Sequence, residues 1–180
     1  MDKDFISENI RDLQIVDDLD EETINKYFEI SNSYMEEIYQ FVLLYYDYMY
    51  TKKDSGDQMK KSMLEDHLLT DIHDNPGITT TELAEKWHRT TSSISQTISK
   101  LVNAGLVDRV LNVDNRKIYN LYITDSGKNS VLHHKFYDVK DTVKSIRKLL
   151  HSVSIDELNA FFKVVKAYNL ILKSNKKKRS

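Results

Sequence analysis

From Glu21 to about Thr51 the apolar residues Ile24, Phe28, Met35, Ile38, Val42, Tyr45 and Met49 return in steps of four and three, with Ser31 completing the register. This heptad-like seam predicts one long helix. A second edge, Tyr27, Ile30, Tyr34, Phe41, Leu44 and Tyr48, widens the stripe, so the helix must bury itself against more than one neighbour. A short extra helix is expected over Phe5 to Val16, and Gly56 marks a turn after the long helix. The next helix is expected from Asp57 to His73, carrying Met59, Met63, Leu64, Leu68, Leu69 and Ile72, and Asn75-Pro76-Gly77 ends it. Ile78 leads on as a very short strand.

The middle of the chain changes period twice. Leu83, Ala84 and Trp87 share one face of a helix behind three threonines that can cap it, and a break follows at His88, Arg89 and Thr90. A second helix starts near Thr90 or Thr91. Its stripe is Ile94, Ile98, Leu101 and Val102, and Gly105 stops it. Near-alternating runs follow, Leu106, Val107, Val110 and Val113, then Ile118, Tyr119, Leu121, Tyr122 and Ile123. They predict two strands joined by the polar turn Asp114-Asn115-Arg116-Lys117. Beyond Gly127 a long helix repeats the four-three step at Leu132, Phe136, Val139, Val143, Ile146 and Leu150. The last helix starts after Ser154, with Glu157 at capping-box offset, and its stripe is Leu158, Phe161, Phe162, Val165, Tyr168 and Leu172.

The polar side of the helix after Thr90 carries the chemistry. Thr91, Ser92, Ser95, Gln96, Ser99, Lys100 and Asn103 project away from the stripe, and no acid occurs between Thr90 and Gly105. Such a face can lie against phosphates and offer donors and acceptors to base edges in a major groove. A solvated helix face is the alternative. The hairpin places Arg116 and Lys117 at its tip, within reach of a sugar-phosphate backbone or a narrow minor groove. Asp114, two residues before Arg116, can pair with the guanidinium and aim it.

In their order and spacing these residues resemble the MarR family of winged-helix transcriptional regulators. The likeness runs through Leu83-Ala84, Thr90-Thr91-Ser92-Ser93-Ile94-Ser95, Leu101 to Gly105-Leu106-Val107, Arg109, Asp114-x-Arg116 and Leu121-x-Ile123-Thr124-x-x-Gly127. Ile123-Thr124 stands where the family usually has Leu-Thr. The resemblance implies a mainly α fold with a small β-wing. Its winged helix-turn-helix DNA-binding domain would span residues 57–124, and residues 1–56 and 125–180 would form a helical dimerisation region. It makes Arg116 the wing arginine, Asp114 its orienting partner, and Thr91, Ser92, Ser95, Gln96, Ser99 and Lys100, with Arg109 and Lys117, the DNA-binding set. It also implies a homodimeric repressor on a pseudo-palindromic operator, its half-sites about 10 base pairs apart.

Composition and charge sharpen this picture. One proline and four glycines in 180 residues fit a mostly helical chain, and with no cysteine, disulfides and thiolate sites are excluded. The net charge of -2 conceals a gradient. Residues 1–50 hold three basic and thirteen acidic side chains, residues 75–123 six basic and four acidic, and Lys173 to Arg179 add five more positive charges. The acidic start lacks an apolar signal region, and the longest apolar run, Phe41 to Tyr46, is too short to span a bilayer, so a cytoplasmic protein is expected. Disorder is expected for Asn175 to Arg179. No nucleophile with a spaced base, glycine-rich phosphate loop or paired-carboxylate motif occurs, so no enzyme and no cofactor are expected.

The same residues bear on other ligands. Some relatives in the family sense zinc through histidine and carboxylate ligands. Here His133 and His134 are helix neighbours that point apart unless another segment closes the site, and His67 and His73 are no better spaced, so no metal site is expected. The family's small aromatic or lipophilic effectors bind between dimerisation helices and winged helix. Tyr39, Tyr46, Tyr50, Trp87 and His88 are the candidates for such a pocket here. A metal-responsive regulator of the same fold and a winged-helix protein-interaction module are the competing functions.

Overall fold

The computed structural model of the chain describes residues 19–52, 59–113 and 115–177, the side chains of residues 30, 34, 176 and 177 excepted. The expected helix over Phe5 to Val16, the turn at Gly56 and the aiming residue Asp114 lie outside the described residues. The elements run α1 (Glu21–Tyr50), α2 (Met63–Asp74), α3 (Thr80–Lys86), α4 (Thr91–Asn103), β1 (Val107–Leu111), β2 (Tyr119–Ile123), α5 (Asp125–Leu149) and α6 (Ile155–Lys177). This is the mainly α architecture with one small antiparallel wing that the periodicity implies. The chain divides into two compact units, residues 1–50 and 51–180.

In the first unit, α1 begins where Asp20 caps it: one carboxylate oxygen accepts from the Thr23 amide at 2.8 Å and the other from the Thr23 hydroxyl at 3.1 Å. Those bonds hold the Asp20 carboxyl below its usual range. Along α1 the rings of Tyr46 and Tyr50 approach to 4.5 Å. Much of its apolar seam faces outward, with Phe28 64% and Leu44 70% exposed.

In the second unit, α2 starts six residues later than Asp57, and Met59 precedes it rather than riding on it. The reason is local: Ser62 and Glu65 form a reciprocal capping box that sets the helix start. The same device opens α3, where the Thr79 amide donates to Glu82 Oε2 at 2.8 Å and the Glu82 amide donates to Thr79 Oγ1 at 3.3 Å. It recurs at Ser154 and Glu157 before α6. Thr79→Ala is therefore expected to cost about 0.5–2 kcal/mol, read as a lower urea midpoint with an unchanged slope.

The core is the set of stripes read from the sequence. Leu68, Leu69 and Ile72 of α2, Leu83 of α3, Ile94, Ile98 and Leu101 of α4 and Leu121 of β2 are fully buried. A Schellman turn ends α4: Leu106 N–H donates to Leu101 O, Gly105 N–H to Val102 O, and Gly105 takes φ 70°, which only glycine adopts cheaply. The wing pairs Val107 with Ile123 through Leu111 with Tyr119. Ile78, expected as a very short strand, forms no strand of its own and meets the wing only through its backbone. Its carbonyl accepts from Leu121 N–H at 3.0 Å, and Thr79 makes a bridge to Asn120.

The last two helices have two kinds of surface. On α5 the residues Ser130, Val131 and His134 are buried, and α5 packs on α2, whereas the predicted stripe residues Leu132, Phe136 and Val139 are 63–69% exposed. On α6 Leu158 is buried and the rest of the stripe is exposed. The helix continues to Lys177, so the disorder expected from Asn175 onward is corrected for its first three residues. A charged run continues a helix readily when the preceding turns already supply the hydrogen-bond ladder. Residues 178–180 lie outside the described part of the chain. Among the described residues no helix is long and apolar enough to cross a membrane.

Candidate nucleic-acid interface

Helix α4 presents the predicted polar face. Thr90 caps it, its hydroxyl accepting from the Ser93 amide at 3.2 Å, and Ile94, Ile98 and Leu101 turn the opposite side into the core. Thr91, Ser92, Gln96 and Lys100 are consequently exposed, and Ser95 and Ser99 are half-buried at the edge of the face. The acid-free N-terminal turn adds the positive end of the helix dipole to this surface.

Ser99 and Arg109 do something the sequence pattern does not reveal. Arg109 Nη2 donates to Ser99 Oγ at 2.9 Å, and that hydroxyl donates to the Ser95 carbonyl at 2.8 Å. The strand arginine thus ties β1 to α4. Its guanidinium and the Ser99 hydroxyl are partly committed to this link, which leaves Gln96, Ser92, Thr91 and Lys100 as the more available polar groups of this face.

The tip of the wing is shaped by asparagines. Asn112 Oδ1 accepts from the Asn115 amide and Asn115 Oδ1 from the Lys117 amide, each at 3.0 Å, while the Asn112 amide donates to the Ile118 carbonyl at 3.0 Å. Arg116 and Lys117 are exposed on this loop. Val113, which the alternation places with the first strand, sits past the strand end and is 95% exposed. The loop's side-chain hydrogen bonds end the β pairing before Val113 can enter the ladder.

The effector candidates fall into separate settings. Tyr39 and Tyr46 are exposed and Tyr50 is half-buried on α1. Trp87 closes α3, and its indole N–H donates to Asp71 Oδ2 at 2.7 Å while Lys86 pairs with the other oxygen of that carboxylate. Its ring lies 5.7 Å from that of His67. His88 turns the chain between α3 and α4 with φ 52°, a left-handed conformation that costs a residue with a Cβ some strain.

The histidine pairs that chain proximity suggests, His133 with His134 and His67 with His73, are not the ones the fold makes. His67 of α2 meets His134 of α5, ring to ring at 5.0 Å and nearly perpendicular. Asp138, one turn beyond His134, joins them. Around this group His134 Nδ1 lies 3.7 Å from Asp66 Oδ2, and Lys61, its side chain wholly buried, lies 3.5 Å from the other Asp66 oxygen. Burial lowers the pKa of both His67 and His134. The neighbouring His134 adds to the effect at His67, and at His134 the attraction of Asp138 opposes it while Lys61 and Lys135 reinforce it. The i,i+4 spacing of His134 and Asp138 is visible in the chain; the partner on α2 is not.

Comparison with known proteins places this geometry. Residues 61–119 match the model of the MarR family. A HTH-type transcriptional regulator of Bacillus subtilis, YhjH, itself uncharacterized, is 33% identical over 87 residues, which are 48% of this chain and 50% of that protein. The chain's match therefore spans about half the length of that curated relative. Among solved structures, Streptococcus pneumoniae FabT in complex with DNA is similar at TM-score 0.58 and 20% identity, covering 82% of this chain and 98% of FabT. The Staphylococcus aureus MepR–DNA complex is similar at 0.60 and 19%, covering 74% and 96%, and MarR itself at 0.59 and 20%, covering 78% and 98%. At these identities the structural likeness speaks for the fold, and the matching segment speaks for the family. Residues 61–119, which run through α2, α3, α4 and β1 to the first residue of β2, are thus similar to the MarR family, and the winged helix-turn-helix they build is the fold of these neighbours.

Proposed function

We propose that this protein is a sequence-specific DNA-binding transcriptional regulator that works as a homodimer and represses from a pseudo-palindromic operator. The observation that carries the reading is the acid-free, exposed face of α4 standing beside a wing tip that exposes Arg116 and Lys117. One surface offers hydroxyls, an amide and an ammonium to a major groove, and the other supplies cations to the flanking backbone or minor groove. Two structural neighbours, FabT and MepR, were solved on DNA, which supports the same use of the fold here.

The dimer rests on the terminal helices. Leu44 on α1, Leu132 and Phe136 on α5 and Val164 and Leu170 on α6 are each 64–70% exposed in the single chain. Apolar faces of this length are characteristic of surfaces that a second subunit covers. A two-fold axis then sets two α4 helices about one turn of duplex apart. In the same reading, a small aromatic or lipophilic effector releases DNA by preferring one spacing of the two readers, with Tyr39, Tyr46 and Tyr50 as candidates on α1 and, separately, Trp87 and His88 as candidates on the winged-helix unit.

The test is fluorescence anisotropy on a labelled duplex from upstream of the protein's own gene, against a scrambled duplex at fixed near-physiological salt. Saturation at two protomers per duplex, with a preference of ~10³-fold or more, is the expected result. Equal and weak binding to both duplexes, together with a genome-wide selection that recovers no preferred sequence, would leave the winged helix as a protein-interaction module.

A further inference from the structure

We propose that Asp71, on the last turn of α2, is a positioning residue for the reader helix α4: its carboxylate holds the C-terminal end of α3 and thereby sets where the first turn of α4 stands. This role rests on the reading of α4 as the DNA-facing helix.

Both oxygens of the carboxylate are engaged. Oδ2 accepts from the Trp87 indole N–H at 2.7 Å, and Oδ1 pairs with the Lys86 ammonium. The Asp71 side chain is 13% exposed, which sets these contacts apart from the open surface pairs that add little to a structure. Charge-assisted bonds to a largely covered carboxylate are stronger and more directional. The backbone of the same residue is held as well, since the Asp71 carbonyl accepts from the Asn75 amide at 2.9 Å and from Asn75 Nδ2 at 3.0 Å. One residue thus fixes both the turn that leaves α2 and the far end of the helix that follows.

Helix α3 needs such a hold. It has seven residues and buries Leu83 and Ala84, which is little apolar area with which to fix its rotation about its own axis. Its N-terminal end is set by the Thr79–Glu82 capping box and by the bridge from Thr79 to Asn120 of the wing. Its C-terminal end is set by Asp71.

The path from there to the reader is short. His88, Arg89 and Thr90 separate Trp87 from the start of α4. The Arg89 amide donates back to the Ala84 carbonyl at 2.9 Å, and the left-handed His88 keeps a conformation that persists only where its surroundings hold it. A shift of Trp87 therefore carries Thr91, Ser92, Ser95 and Gln96 with it. Hydrogen bonds to base edges are lost on a displacement of about 1 Å, whereas contacts to phosphates carry no sequence information to lose. Loosening Asp71 should consequently cost discrimination between sequences before it costs non-specific affinity.

The experiment compares the parent with Asp71→Ala, Trp87→Phe, the double variant, and Lys135→Ala, each checked for helicity by circular dichroism. Lys135→Ala is the control, because it breaks another ion pair of α2, the one from Asp74 to α5 at 3.4 Å. Hydrogen exchange followed by mass spectrometry reads the helices without DNA. In Asp71→Ala, exchange is expected to quicken about 10-fold from Trp87 to Gln96 and to keep the parent rate in α5. Trp87 emission is expected to shift to the red as the indole loses its partner. In anisotropy titrations the duplex preferred by the parent is expected to bind about 10-fold more weakly, with the scrambled duplex and the log-log salt slope unchanged, because no phosphate-binding cation is removed. Trp87→Phe should show a smaller change of the same kind, and the double variant should be no worse than Asp71→Ala, since both remove one shared contact. Lys135→Ala should match the parent.

Parent-like exchange from Trp87 to Gln96 in a folded Asp71→Ala protein, or an undiminished preference between duplexes, overturns the assignment. Equal weakening on both duplexes with a lower salt slope does so too, since it makes Lys86 a phosphate ligand and Asp71 only its neighbour. The same losses in Lys135→Ala would reduce the effect to general destabilisation. Where the parent itself prefers no duplex, the regulatory reading falls, and the exchange measurement alone decides whether Asp71 positions α4.

Discussion

Gly127→Ala is expected to lower the thermal midpoint by roughly 2–12 °C and to weaken every property that needs an intact wing. A Cβ at this position would overlap the Leu106 carbonyl oxygen and lie 2.6 Å from Ile123 Cδ1 and 2.8 Å from Cγ1. The carbonyl is fixed: it accepts the Thr124 amide at 3.1 Å, while the Thr124 hydroxyl donates to the Gly105 carbonyl at 2.7 Å and accepts from the Gly127 amide at 3.0 Å. This small clasp joins the end of α4, the start of β1 and the first turn of α5. An added methyl cannot be absorbed by a rotamer change, because the principal obstacle is backbone. Overpacking of this kind costs about 1–3 kcal/mol. Each kcal/mol corresponds to roughly 2–4 °C in a chain of this size.

The useful comparison is Gly105→Ala, where a Cβ meets no atom within 4 Å and the cost is only that of holding φ 70° with a side chain, about 1–2 kcal/mol. Paired melts should therefore rank Gly127→Ala as the more damaging. The opposite order would mean that the clasp yields and that backbone conformation dominates. A glycine recognised in the sequence only as the end of a family motif thus acquires a steric reason.

Arg116→Ala carries the largest expected effect on DNA affinity. The residue is exposed on a tip loop whose shape comes from Asn112 and Asn115. Its removal should leave helicity, the thermal midpoint and the oligomeric state unchanged. A well-placed arginine on DNA is worth about 1–3 kcal/mol, so Kd should rise roughly 5- to 150-fold. Lys100→Ala provides the contrast: without its ammonium against a phosphate, specific and non-specific duplexes bind more weakly alike, and the log-log salt slope falls by about one. Anisotropy titrations at three salt concentrations separate the two. Parent-like affinity in Arg116→Ala would remove the wing from the recognition surface, and α4 alone would then have to explain specificity.

Arg109 shows why exposure and residue type are insufficient for assigning such roles. As a strand arginine beside the reader it looks like a phosphate ligand, yet it donates to Ser99 on α4. That bond makes it a strut between wing and helix, whatever else it touches. The same applies to Trp87, whose indole N–H is held by Asp71 and whose ring meets His67, so its setting is already structural in the absence of any effector.

The sequence by itself determined the elements and most of their ends. Stripes at helical spacing named the buried apolar residues of α2, α3 and α4, because a short helix in a small unit has only one side on which to hide leucine and isoleucine, but not the buried Glu65 and Asp66 of α2. Threonine and serine caps, Asn75-Pro76-Gly77 and Gly105 punctuated them, because those residues act on backbone groups within a few positions of themselves. The start of α2 departs from the apolar period, which extends back to Met59, because the Ser62–Glu65 box outweighs it. Everything joining segments far apart in the chain was decided by tertiary structure. The Arg109–Ser99 strut links β1 to α4, the clasp around Gly127 closes on a carbonyl 21 residues earlier, and His67 reaches His134 across 67 positions. Periodicity tells which way a side chain points on its own element. Which side chain of another element it meets depends on how the elements pack, and only the folded chain contains that information.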